Sequence, residues 1–219
     1  MSQIFIYGER EIAHLKRADT TLGKAIELIG HLERPINPDL FSSLISSIVA
    51  QQISSKAADT VWKRMVERFG EITPKTIDTA SAEDIQQCGI SMRKAIYIKD
   101  TAERVVSGKF DIYALHSLGD EELCKKLSEL KGIGVWTAEM LMIFSMQRPN
   151  ILSWDDLAIQ RGIRMLYKHR KVTKELFLKY KKRYSPYASV ASLYLWAIAS
   201  GQYGYKDCAP VTKVKKKRN

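Results

Sequence analysis

Two stretches, separated by an apolar helix-like run, carry residue types that could do chemistry: Leu130-Lys131-Gly132-Ile133-Gly134-Val135-Trp136-Thr137-Ala138 and Ser153-Trp154-Asp155-Asp156-Leu157-Ala158-Ile159-Gln160-Arg161. In the first, Gly132 and Gly134 permit positive φ and let the backbone approach another molecule without Cβ interference. A helix opening at Val135 would then turn its free N-terminal amides toward an anion. In the second, a carboxylate pair stands at the start of another helix, where an Asp can cap the helix and also face a reacting centre. A phosphate-holding turn beside an acid points to chemistry on nucleic acid.

Each feature also has a plain structural reading. A bare Gly-x-Gly is most often a simple helix–helix turn; here the flanking Leu130, Ile133, Thr137 and Ala138 match a helix-hairpin-helix element, with Leu130 and Ile133 pinning the turn to the core. Contacts made by such a turn go to the backbone of a duplex and carry no sequence information. Ser153, Asp155 or Asp156 could be no more than a helix cap. The two readings are compatible, because a capping carboxylate that accepts amide hydrogen bonds is a fixed anion.

Composition narrows the partner. The 219 residues include 35 Lys and Arg against 24 Asp and Glu, a formal net charge of +11. This excess favours a polyanion, since each neutralised phosphate releases condensed counterions. No apolar run approaches the roughly 18–20 residues of a membrane span, and no signal-peptide pattern opens the chain, so a cytoplasmic protein without membrane contact is expected. Cys88, Cys124 and Cys208 are too scattered for a zinc or iron–sulfur pattern, and His14, His31, His116 and His169 are isolated.

The elements that must position these residues read almost entirely with helical period. Phe41, Leu44, Ile45, Ile48 and Val49 form one apolar stripe, starting at Pro38 or Asp39. A helix follows over 57–69, closed by Gly70. Thr73-Pro74 and the Ser81-x-x-Asp84 capping box start two short ones, and Ser91 to Val106 forms another with Ala95, Ile96, Ile98 and Ala102 inward. Further helices are expected near 119–130, 135–147, 155–167, 173–183 and 187–200. After the short apolar opening Ile4-Phe5-Ile6-Tyr7 no alternating strand is evident, which predicts an all-α fold of about ten helices. No linker divides residues 1–210, and the basic run at 211–219 reads as a disordered tail.

The hairpin, the apolar helix after it and the later Asp resemble the signature of the helix-hairpin-helix DNA glycosylases, and within them the alkylpurine branch of the 3-methyladenine DNA glycosylase II type. Further matches are Ser46-Ser47-Ile48-Val49-Ala50-Gln51-Gln52-Ile53-Ser54-Ser55-Lys56-Ala57-Ala58, Gly89-Ile90-Ser91-Met92-Arg93-Lys94-Ala95, Tyr184-Ser185-Pro186-Tyr187 and Leu195-Trp196, so the resemblance spans about residues 38–203. It implies two closely packed lobes, 35–115 and 1–34 with 116–210, and an active site in the cleft between them. It makes Asp156 the catalytic carboxylate, because Arg161 stands where the family carries an Arg five residues on; Asp155 is the second choice. Trp136 occupies the position of the nucleophilic Lys of strand-cleaving members, which implies a monofunctional enzyme, since no Schiff base can form there.

The resemblance further implies double-stranded DNA containing alkylated bases as the partner, met by a monomer that flips and excises 3-methyladenine and 7-methylguanine. Gln51, Gln52 and Ile53 would contact DNA at the minor-groove wedge, with Gln52 filling the gap, while Gly132, Gly134, Val135 and Thr137 hold the phosphate. Trp136, Met140, Trp154 and Trp196 would form the base pocket, whose ring faces suit a cationic purine. Met140 replaces an aromatic residue of some relatives. No cofactor is required; a structural Na⁺ or K⁺ could be held by the backbone carbonyls of Ser128, Leu130 and Ile133. Two alternatives remain: a glycosylase for another damaged or mismatched base, and a noncatalytic helix-hairpin-helix DNA-binding protein.

Overall fold

Oxygen-bearing caps set most of the helix starts. The computed structural model describes residues 3–209 and contains, among these, twelve α-helices: α1 (Glu9–Ala18), α2 (Thr20–Ile29), α3 (Leu40–Ala50), α4 (Ser55–Phe69), α5 (Pro74–Thr79), α6 (Ala82–Gln86), α7 (Met92–Val106), α8 (Asp120–Leu127), α9 (Val135–Phe144), α10 (Leu157–Tyr167), α11 (Lys174–Tyr184) and α12 (Ala188–Ala199), with a 3₁₀ turn at Ala114–Ser117. Asp39 accepts the Ser42 amide at 3.0 Å to open α3, Ser54 accepts Ala57 to open α4, and Ser81 and Asp84 close the expected capping box at α6. Gly70 ends α4. The fold is all-α; the 211–219 run lies outside the described residues. No helix among the described residues is long and apolar enough to cross a membrane.

The chain forms two units. One comprises the segment up to Phe5 together with Pro35–Arg148; the other comprises Ile6–Arg34 and the segment from Pro149 onward. The chain therefore passes between them at 148/149, not at the expected 115/116. The physical reason is that α9 packs on both α8 and α3, so the whole 116–148 segment stays with the first unit.

In that first unit α3 is the axis. Leu40, Phe41, Leu44, Ile45, Ile48 and Val49 are all buried on it, and α4, α7 and α9 pack around it. Ile96 departs from expectation: it is 47% exposed, because the inward stripe of α7 runs through Ala95, Ile98, Thr101 and Ala102. In the second unit α12 is buried on nearly every side and lies against α10, with α2 packing on both.

Two helices, α1 and α2, were not anticipated, which is why the expected number falls short. α1 is strongly polar and buries only Leu15, so its inward face is marked by few apolar residues. α2 had a legible cap: the Asp19 carboxylate accepts the Leu22 amide at 2.8 Å. The other Asp19 oxygen takes hydrogen bonds from Arg183 at 2.7 Å and Tyr167 at 2.8 Å, so one buried, paired carboxylate links α2, α10 and α11. Burial pushes the Tyr167 and Tyr184 hydroxyls upward, which keeps both protonated as hydrogen-bond donors. The apolar opening forms no strand, only an isolated bridge from Ile4 to Pro35.

Candidate active site and nucleic-acid interface

The hairpin joins α8 to α9. Leu130 and Ile133 are buried at 2% and 4% exposure, anchoring the turn as expected. Gly132 has φ +87°, and a Cβ there would lie 2.8 Å from the Tyr97 ring of α7, so both conformation and space demand glycine. Gly134 precedes α9 and, having no side chain, makes no cap hydrogen bond to the first turn of this helix. Val135 and Trp136 are about half exposed in that turn, whereas the Thr137 side chain is buried. The Ile133 amide donates to the Leu130 carbonyl at 3.0 Å. A carbonyl has two lone pairs, so Leu130 keeps one, and the Ser128, Leu130 and Ile133 oxygens fit the hard-donor chemistry of a monovalent cation.

The turn after α3 is tied to this hairpin. The Gln51 side-chain amide donates to the Gly132 carbonyl at 2.6 Å, which commits Gln51 to the protein. Gln52 is exposed and adopts φ +59°, a left-handed conformation uncommon outside glycine, and Ile53 is 41% exposed. A cavity of about 470 Å³ lies between the two turns, walled by Trp136 and Met140 of α9 and by Ser47 and Ala50 of α3. Gln51, Gln52, Gly132, Gly134 and Thr137 also border it, so most residues expected to meet DNA share one surface.

The acid lies in the second unit. Of the three residues that could cap α10, Asp156 does so: its Oδ1 accepts the Ala158 amide at 2.8 Å and the Ile159 amide at 2.9 Å. Its Oδ2 accepts the Trp196 indole N–H at 3.2 Å, and the residue is 6% exposed. Asp155 is exposed, and the Ser153 hydroxyl is buried without a hydrogen-bond partner among the described residues. A carboxylate held by three N–H donors cannot rotate away from charge developing near it. Trp196 thus touches the acid directly. The Trp154 ring packs edge-on against Phe177 at 5.2 Å, and its carbonyl accepts the Gln160 side chain at 2.6 Å, which braces the start of α10.

Three contributors were missed by sequence reasoning. Asp207 forms a paired contact with Arg164 at 3.0 and 2.7 Å and lies 3.5 Å from Arg161, so the Arg five residues beyond Asp156 is engaged by the chain's own carboxylate. The Arg164 hydrogen bond holds the Asp207 carboxyl below its usual range. Gln160 supports Trp154. Lys94, inside a quoted motif but given no role, donates to the Val49 and Gln51 carbonyls. No local pattern announces a lysine that caps a distant helix.

A glycine hairpin opening an uncapped helix and, later in the chain, a buried aspartate capping another define a base-excision repair architecture. The chain belongs to the HhH-GPD superfamily of base excision DNA repair proteins, whose family model matches residues 45–186. It is 34% identical to DNA-3-methyladenine glycosylase 1 of Schizosaccharomyces pombe over 192 residues, 84% of either chain. Its fold is similar to the crystal structure of a DNA-3-methyladenine glycosidase from Bacillus halodurans, with TM-score 0.83, 36% identity and coverage of 94% of this chain and 96% of that one. The S. pombe 3-methyladenine DNA glycosylase solved with abasic DNA gives TM-score 0.73 at 32% identity, covering 90% of this chain and 100% of the other.

Proposed function

We propose that this protein is a monofunctional DNA glycosylase that flips alkylated purines out of duplex DNA and hydrolyses their N-glycosidic bond, with 3-methyladenine the main substrate and 7-methylguanine a second. The observation that carries the reading is Asp156, a buried carboxylate fixed by two helix amides and an indole N–H. The names of the S. pombe and B. halodurans relatives support the alkylpurine class.

As the base departs, positive charge builds on the deoxyribose, and the Asp156 carboxylate stabilises it and orients the attacking water. Alkylation at N3 or N7 makes the purine cationic and a good leaving group, so little general-acid assistance is needed. The ring face of Trp196, whose indole N–H meets the acid, suits such a cation. Trp136 offers no amine, so the sugar is released by water and the strand stays intact. Gln52 enters the minor groove, where its amide fills the gap by hydrogen bonding as well as stacking. The amides of Gly134, Val135 and Thr137 hold a phosphate, and a monovalent cation on the Ser128, Leu130 and Ile133 carbonyls would reinforce that charge. The protein acts as a monomer in the cytoplasm, associated with the DNA it repairs.

The test is Asp156→Asn. Asn keeps an oxygen for the two amides and is an equally good cap, but it turns its NH2 group, a donor, toward the Trp196 N–H. Thermal stability is expected to fall by about 1–3 kcal/mol at most, from the compromised indole hydrogen bond. Base release from methylated duplex is expected to fall at least about 10²-fold, with duplex binding retained. Full activity in the variant would sink the catalytic assignment; no base release by the unmutated protein would leave the noncatalytic binding module, and release of oxidised or mismatched bases instead would reassign the lesion.

A further inference from the structure

The turn that carries Gln52 is built against its own preference. α3 ends at Ala50, and in a continuing helix the residue-53 amide would serve the Val49 carbonyl. Here the chain swings through Gln52 at φ +59°, and the Ile53 amide meets the Ala50 carbonyl instead, at 3.5 Å. Left-handed backbone at a residue with a Cβ persists only where its surroundings over-determine it. The surroundings responsible are within reach. The Lys94 ammonium, from the first turn of α7, donates to the Val49 carbonyl at 2.8 Å and to the Gln51 carbonyl at 2.6 Å. It spans the last turn of α3 and its cap, so it fixes where the following residue must go. On the other side of the same residue, the Gln51 side chain holds the Gly132 carbonyl at 2.6 Å. The Gln52 side chain is left exposed between a lysine clasp and a hairpin tie.

We propose that Lys94 is a positioning residue for base flipping: by bridging the Val49 and Gln51 carbonyls it holds Gln52 in its left-handed, outward-pointing conformation, and through Gln51 it sets the distance between the wedge and the phosphate-holding hairpin. This rests on the proposed function, in that it takes Gln52 to fill the gap left by the flipped nucleotide.

The choice of residue type has a physical reason. Two carbonyls converging on one point suit a compact ammonium with several donors on a flexible stem; a planar guanidinium spreads its donors over a fork. The site is also costly to maintain, since burial and the neighbouring Arg93 push the Lys94 ammonium below its ordinary value. A charge kept in place despite that cost needs the two carbonyl bonds, and removing it leaves both C-terminal oxygens of α3 without their partner. Gln52 is then released to ordinary backbone conformations, in which the wedge no longer stands at a fixed separation from the hairpin.

The test uses a duplex containing a tetrahydrofuran abasic analogue opposite 2-aminopurine, so that insertion of the wedge is read by fluorescence without any bond being cleaved. The unmutated protein is expected to change the 2-aminopurine signal on binding. Lys94→Met is expected to bind the same duplex within about threefold, because the hairpin amides are untouched, yet to insert at least about tenfold more slowly or with a halved amplitude. Lys94→Gln, which retains a neutral NH2 with two donors on a shorter stem, is expected to fall between the two, and it serves as the reporter if Lys94→Met does not fold. Unchanged insertion in either folded variant overturns the proposal, and so does a loss of affinity that fully accounts for the loss of signal, since that is what a purely structural lysine would give. An unmutated protein that releases bases from methylated duplex yet gives no insertion signal overturns this inference alone. An unmutated protein that releases none removes the proposed function beneath it.

Discussion

The most stringent test of how the acid is held is Gly162→Ala. Gly162 lies mid-way along α10, where α12 crosses so closely that a Cβ on it would stand 2.3 Å from the Leu195 carbonyl oxygen and 2.9 Å from its carbon. Both atoms are backbone and cannot rotate aside, so the helices must separate by about 0.7 Å or more to reach even the closest contact that real Cβ atoms make. Two effects compete. Alanine is the better helix former by about 1 kcal/mol. Overpacking two rigid backbones costs about 1–3 kcal/mol, and here the upper end applies because no side chain can give. The net expectation is a loss of about 2 kcal/mol, roughly 4–8 °C in melting temperature for a chain of this size. The consequence for chemistry follows from the neighbour. Trp196 is the residue after Leu195, and its indole reaches Asp156 at 3.2 Å; the same separation would carry that bond to roughly 3.9 Å, outside hydrogen-bond range. Base release should therefore fall by about tenfold in a folded Gly162→Ala protein, from the loss of one donor to the acid. Melting followed by circular dichroism and single-turnover release from methylated duplex measure the two effects. A variant that melts at or above the unmutated protein, with full activity, would show that propensity wins and would refute the close-approach argument.

Two further outcomes are expected. Gly132→Ala should cost about 1–2 kcal/mol for an L side chain at positive φ, with a further clash against Tyr97 at 2.8 Å, and in duplex-binding titrations over a salt series the slope of log K against log salt should become shallower by about one phosphate. Asp207 should show its pairing in acid: its carboxyl is lowered by Arg164, so the contribution is full above the ordinary aspartate value of about 3.9 and is lost only as pH falls through the lower folded value. The melting-temperature difference between the unmutated protein and Asp207→Asn should then be constant from neutral pH down to that range and vanish below it, and a difference that vanishes already near neutrality would contradict the pairing.

Much of the candidate site was legible because its signals are local. Glycine at a position requiring positive φ, the Ser81-x-x-Asp84 capping box and the apolar stripe of α3 are each decided within a few residues, where backbone sterics and side-chain period act. The same holds for the hairpin anchors Leu130 and Ile133. By contrast α1 is written mostly in charged and polar residues around a single buried leucine, too little apolar content to mark a core helix, and the inward face of α7 was misjudged at Ile96, where neighbouring helices leave the side chain in solvent.

The sequence by itself determined that the chain is helical, basic and built around a glycine hairpin followed by a carboxylate pair, since composition and spacing within one or two turns suffice for that. Tertiary structure alone decided which carboxylate is buried and held by Trp196, that Gln51 is spent on Gly132, that Lys94 clasps the end of α3 and that Arg161 meets Asp207. Each of those is a contact between residues far apart along the chain, formed by helix packing and by the need of every buried polar group for a partner, and no local pattern encodes who that partner is.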